Sequence, residues 1–164
     1  MFKCKSPKLT ILVDFSGSIN RTITEDMLNF AGWESVEAIQ QNQYLREVEV
    51  YPFTGDIFED AKVTITPSDN PNAAIKKLDS FKESYFNGGT EIATAIESVD
   101  EGQPIIVLTD DCYNHDIADA GDNVFFVIFK ENPIYFLESE EFYTLLDFRN
   151  KNVAIKVCSS YKTR

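Results

Sequence analysis

The sequence predicts a three-layer α/β domain with a central, mainly parallel sheet, one antiparallel edge strand and helices on both faces. Two observations carry that expectation. Short apolar runs alternate with longer amphipathic ones along the chain, the pattern of strands joined by crossover helices. The runs 105–108 and 124–129 are uninterrupted apolar stretches, as strands covered on both faces must be. No repeat, low-complexity tract or Pro/Gly/Ser-rich linker divides the 164 residues, so a single domain over 1–164 is expected. At this length a chain buries on the order of two thirds of its unfolded surface and needs no disulfide or metal to hold a core.

Each element has its own signal. Residues 9–13 form a buried strand that ends at Asp14. Thr22 with Glu25 three residues on has the form of a capping box, opening a helix to about Gln41 with Ile23, Met27, Phe30, Ala31 and Ala38 on its core side. Trp33 and Val36 lie off that stripe, and Trp33 reads as partly buried. Residues 46–53 place Val48 and Val50 on one face of a strand, and 61–66 continue extended after a turn at Gly55 and Asp56, so the two form an edge hairpin. Asn70 before Pro71 starts a helix that buries Ala74, Ile75, Leu78 and Phe81. Gly88-Gly89-Thr90 opens another, with Ile92, Ala95, Ile96 and Val99 at i, i+3, i+4 and i+7. The central strand 105–108 runs into Thr109-Asp110-Asp111, and 124–129 is the strand after it. Ser139, followed by Glu140 and Glu141, caps a last helix within a Phe/Tyr-rich stretch, 134–148, that reads as core. Val153, Ile155 and Val157 then alternate in a final strand.

Charge and composition narrow the function. With 27 acidic and 15 basic residues the chain carries −12, whereas nucleic acids and anionic membrane surfaces are held by Lys and Arg; neither is an expected partner. The longest apolar run, 124–129, is six residues, and a spanning helix needs roughly 20. The N-terminus lacks a signal peptide's apolar region. Cys4, Cys112 and Cys158 are too scattered for a disulfide framework. A cytoplasmic protein is expected.

The loops leaving the carboxyl ends of parallel strands share one edge, where such folds build their sites. Three here are rich in oxygen: Asp14-Phe15-Ser16-Gly17-Ser18, Gly88-Gly89-Thr90 and Thr109-Asp110-Asp111. Hydroxyls with two or three carboxylates, and no His or Cys, suit a hard cation rather than zinc or copper. Mg²⁺ is the natural occupant and Mn²⁺ its substitute.

The run Leu12-Val13-Asp14-Phe15-Ser16-Gly17-Ser18-Ile19 resembles the Asp-x-Ser-x-Ser loop of von Willebrand factor A-type domains, and Thr90 and Asp110 match the later elements of their metal-ion-dependent adhesion site in chain order. The resemblance covers nearly the whole chain and implies a Rossmann-like fold in which Ser16, Ser18 and Thr90 present hydroxyls to the ion. Asp14 and Asp110 would act largely through ordered water, and a partner protein's Asp or Glu would complete the octahedron. Asp111 stands where Asp-Gly is common; tightening the metal site and facing a partner are both open to it. The runs Val50-Tyr51-Pro52-Phe53 and Asn87-Gly88-Gly89-Thr90-Glu91 look most like the compact bacterial and phage branch. Within it, similar domains belong to predicted metallopeptidase-like proteins or work beside AAA-type ATPases. With one His and no His-Glu-x-x-His motif, no zinc peptidase activity of the chain's own is expected.

Phe15, Phe86 and Tyr113 flank the loops as candidate contact aromatics, although core packing claims at least one. His115 reads as a loop residue near the rim. Cys112 has acidic neighbours that work against a reactive thiolate. The competing enzymatic reading is a haloacid-dehalogenase-like, Mg²⁺-dependent phosphotransferase or phosphatase, which needs a second carboxylate two residues after the first. Ser16 stands there and supplies no acid or base at neutral pH, so a protein-binding module rather than an enzyme is the expectation. The acidity is also concentrated: residues 97–122 hold eight Asp or Glu and no Lys or Arg.

Overall fold

The computed structural model describes residues 7–17, 19, 21–83, 88–110, 114–130 and 153–157. In chain order these give β1 (Leu9–Asp14), α1 (Arg21–Gln41), β2 (Val48–Phe53), β3 (Val63–Ile65), α2 (Pro71–Leu78), α3 (Ser80–Glu83), α4 (Ile92–Val99), β4 (Ile105–Thr109), α5 (Asn114–Asp119), β5 (Val124–Lys130) and β6 (Val153–Val157), with a 3₁₀ turn at Glu59–Ala61. The strands form one six-stranded sheet in the order β3-β2-β1-β4-β5-β6. Every neighbouring pair is parallel except β2 and β3, which pair antiparallel at one edge. The α/β architecture expected from the sequence is the one observed.

Strand alternation divides the core in two. On one face Ile11, Val13, Val48, Val50 and Leu108 pack with Met27, Leu28 and Ala31 of α1, Ala74 and Leu78 of α2, and Phe81 of α3. On the other, Leu12, Tyr51, Phe53, Val107 and Phe126 pack with Ile92, Ala95 and Ile96 of α4 and Ile117 of α5. A strand buried on both faces cannot alternate apolar with polar, which is why β1 has all six residues buried.

Several local expectations need correction. The helix α1 begins at Arg21, so Thr22 lies inside its first turn and is not its cap. Glu25 pairs instead with Arg21 and with Lys82, each at 3.8 Å. The buried stripe of α1 is wider than the sequence suggested: Val36 is buried, whereas Phe30 and Ala38 are only partly so. The cause is a second cover, because α2 crosses α1 where a Cβ built on Gly32 would lie 2.6 Å from Ile75 Cγ1 and 3.2 Å from the Ile75 backbone nitrogen. Trp33, on the uncovered side, is 58% exposed. The strand expected from residue 46 starts at Val48. His115 falls in α5, a short helix where the sequence predicts a loop. The expected helix at Ser139 and the stretch 134–148 lie outside the described residues.

The start of α2 is as expected. Asn70 is its N-cap, Oδ1 accepting from the Ala73 N–H at 2.8 Å, and Pro71 takes the first position. Beside it Asp69 accepts from the Thr66 N–H at 2.9 Å and from Lys77 Nζ at 2.6 Å, joining the turn after β3 to α2. Burial would raise the Asp69 carboxyl, but Lys77 and the Thr66 N–H outweigh it and hold it below the ordinary 3.8. A lowered carboxyl contributes stability above its unfolded value, and that stability is lost as pH falls through the folded one. Asp69→Ala is therefore expected to cost about 1 kcal/mol in urea unfolding at neutral pH, the exposure of Lys77 keeping the figure small. The deficit should vanish in acid, below both values.

Candidate metal centre

Between β1 and β4 the chain order of the sheet reverses direction, and ligands of doubly wound sheets bind in the crevice outside the carboxyl ends at such a switch point. Asp14 ends β1 and Thr109 ends β4, one step beyond the paired residues Val13 and Leu108. Parallel pairing alone therefore brings the first and third oxygen-rich loops together.

Asp14 is 1% exposed. Its Oδ1 accepts from the Ser16 N–H at 2.8 Å, a turn that Asp side chains favour, and the Ser16 hydroxyl also bonds the carboxylate. Oδ2 accepts from Thr109 Oγ1 at 2.7 Å. Burial pushes the Asp14 carboxyl above its ordinary value, and the Ser16 and Thr109 donors offset only part of that. Among the described residues no Lys, Arg or His lies within ion-pair distance of it. In such a site a positive charge brought close would stabilise the charged carboxylate.

The other predicted residues divide into three groups. Ser16 is buried at 5% exposure, and Asp110, directly after Thr109, is half-buried at the same edge. Thr90 is exposed, on a loop fastened to the end of β2: the Glu91 N–H donates to the Thr54 carbonyl at 3.0 Å. Gly88 in that loop has φ +135°, and a Cβ there would lie 3.0 Å from Thr54 Oγ1, so only glycine allows the approach. The Phe15 N–H, donating to the Phe53 carbonyl at 2.9 Å, carries the β1–β2 pairing past the strand ends. Phe15 itself is half-buried, its ring edge-on to Phe81 with centroids 5.9 Å apart. Ser18, Asp111 and Tyr113, with Phe86 and Cys112, lie outside the described residues, and His115 is placed only as part of α5.

Two hydroxyls at this edge carry no motif in the sequence. Thr109 fixes Asp14 across 95 residues of chain, and Thr54, 3% exposed, anchors the glycine loop. The only local sign of either is a hydroxyl residue at the end of an apolar strand run. Thr109→Val keeps the shape and removes the donor, so it should cost about 1–3 kcal/mol in urea unfolding. That cost should shrink in an Asp14→Ala background; equal costs in the two backgrounds would show that the hydroxyl does not act through Asp14.

Asp14, Ser16, Thr90 and Asp110 offer oxygen only, two carboxylates and two hydroxyls. No three of His, Cys, Asp or Glu gather at one place among the described residues. That chemistry fits Mg²⁺ or Mn²⁺ and not a thiolate or imidazole metal.

No family model matches the sequence, and no curated protein matches it. Among solved structures the chain is similar to the pilus adhesin SpaC from Lactobacillus rhamnosus GG in its open conformation, at a TM-score of 0.52 and 12% identity, over 97% of this chain and 29% of that one. The fold is doubly wound α/β. A von Willebrand factor type A protein from Catenulispora acidiphila aligns at a TM-score of 0.41 and 14% identity, over 93% of this chain and 38% of that one. The chain thus spans well under half the length of either neighbour. No helix among the described residues is long and apolar enough to cross a membrane.

Proposed function

We propose that the chain is a metal-dependent protein-binding module of the von Willebrand factor A type. Asp14, Ser16, Thr90 and Asp110, with Ser18 from the same loop, would hold Mg²⁺ or Mn²⁺. The bound ion would act as a Lewis acid toward a partner protein's Asp or Glu, and no bond is made or broken. The observation that carries this reading is Asp14: a carboxylate held at 1% exposure at a switch point, with Ser and Thr donors on both oxygens and no basic group among the described residues paired to it. The order of the three loops supports it, as does a fold that a pilus adhesin also uses. An AAA-type ATPase assembly in the cytoplasm is the setting that the sequence resemblance points to.

The test is an array of peptides bearing single Asp or Glu residues, probed with the labelled chain in Mg²⁺ and in EDTA. Retention in Mg²⁺ alone, lost with Asp14→Ala, is expected. Retention that ignores EDTA would overturn the reading.

A further inference from the structure

Of the proposed ligands, Asp14 and Ser16 come from β1 and the loop after it, and Asp110 follows β4, which pairs directly with β1. Thr90 has no such placement. It stands two residues ahead of α4, outside any strand, and α4 starts at Glu91 without a side-chain cap. What places Thr90 is β2, a strand that contributes no ligand.

The connection runs through backbone contacts. Phe15, next to Asp14, donates its N–H to the Phe53 carbonyl at 2.9 Å, and the following Thr54 N–H donates to the Asp56 carbonyl at 3.1 Å, closing the turn after β2. Thr54 meets the Thr90 segment on both sides. Its carbonyl accepts from the Glu91 N–H at 3.0 Å, and its Oγ1 fills the place where a Cβ on Gly88 would come within 3.0 Å. The same turn holds the far end of α4, because the Ser98 hydroxyl donates to Asp56 Oδ1 at 2.6 Å and the Ile57 N–H orients that carboxylate at 2.7 Å. Between the two ends Ile92, Ala95 and Ile96 are buried against Leu12, Tyr51 and Phe53. The loop carrying Thr90 is thus tied back to Asp14, and the helix behind it is clamped at both ends.

We infer that Thr54 is a specificity-determining residue: by seating residues 88–91 it keeps Thr90 from retreating and makes the site select Mg²⁺ against Ca²⁺. The inference rests on the metal-dependent reading of Asp14. Mg²⁺ demands a near-ideal octahedron at about 2.0–2.1 Å, whereas Ca²⁺ accepts more oxygens at about 2.3–2.6 Å in looser geometry, so the rigidity of the ligand set decides between them. Asp14 and Asp110 are fixed by strand pairing, which leaves the Thr90 loop as the element whose yielding would admit the larger ion.

The experiment titrates Mg²⁺ and Ca²⁺ calorimetrically into the full metal-free chain as wild type, Gly88→Ala, Thr54→Ala, Thr54→Ser and Asp14→Ala. Amide exchange of the Glu91 N–H, read without metal, reports the seat independently. Gly88 is exposed, so Gly88→Ala should fold even if Thr54→Ala does not; melting curves check both. The expected result is that wild type prefers Mg²⁺. Gly88→Ala and Thr54→Ala should exchange faster at Glu91 and lose about tenfold or more in Mg²⁺ affinity, as partners outside the coordination sphere commonly cause. They should keep most of their Ca²⁺ affinity, while Thr54→Ser, which retains the hydroxyl, should stay near the wild-type ratio. Equal losses for the two ions, or faster exchange with an unchanged ratio, would reduce Thr54 to a structural residue and overturn the inference. Failure of both ions to bind wild type, or undiminished binding to Asp14→Ala, would overturn the metal reading itself, the Glu91 exchange still reporting the seat.

Discussion

Saturating Mg²⁺ is expected to raise the melting temperature of the wild-type chain and to leave that of Asp14→Ala unchanged. A ligand that binds only the native state stabilises it by mass action, about 2.7 kcal/mol at a hundred times its dissociation constant. A domain of this size gains about 2–4 °C per kcal/mol, so a shift of about 5–10 °C is expected by calorimetry, with Mn²⁺ acting similarly. Equal shifts in the two proteins would remove the metal from Asp14. The metal-free protein should also respond to acid. Burial raises the Asp14 carboxyl above 3.8, so its contribution to stability is fully present below the unfolded value and is lost as pH rises through the folded one. Metal-free wild type should accordingly gain stability on mild acidification relative to Asp14→Asn, which has no charge to lose. At neutral pH Asp14→Asn should be the more stable of the two without metal and the less stable with it, the usual exchange of stability for function at a site.

Gly32→Leu is expected to cost about 3 kcal/mol or more, because overpacking a close contact forces backbone as well as side chains to move. The first Cβ already meets Ile75 Cγ1 at 2.6 Å, and the Ile75 backbone nitrogen at 3.2 Å closes off relief by a rotamer change. Leucine is a far better helix former than glycine, so propensity alone would predict stabilisation; the sign of the change in chemical unfolding decides between the two. Its neighbour Trp33, 58% exposed, gives the contrast, since Trp33→Ala should move stability by no more than about 0.5 kcal/mol. Adjacent residues of extreme size thus have effects opposite to their bulk.

Much of this was legible in the sequence because it depends on near neighbours. Asn70 and Pro71 start α2 through a cap three residues away, and Ile92, Ala95 and Ile96 mark the buried face of α4 by helical spacing. The capping box at Thr22 misled because a sequence match is indifferent to where the backbone first becomes helical, and Glu25 found its partners in Arg21 and Lys82. Val36 misled because helical spacing describes one covered face and α1 has two. Of the proposed ligands, Asp14, Ser16, Ser18, Thr90 and Asp110 stand out in the sequence through the order of their loops, whereas Thr54 and Thr109 each look like one more residue of a strand run.

The sequence by itself determined that buried strands end in acid and hydroxyl, and that glycine precedes Thr90, since those facts belong to single stretches of chain. Only the tertiary structure decided that β1 lies between β2 and β4, that the Thr109 hydroxyl donates to Asp14, and that the Gly88 loop seats on Thr54. These are contacts between segments far apart in the chain, set by which sheet edges and helix faces bury the most apolar surface together, and no local spacing encodes that choice.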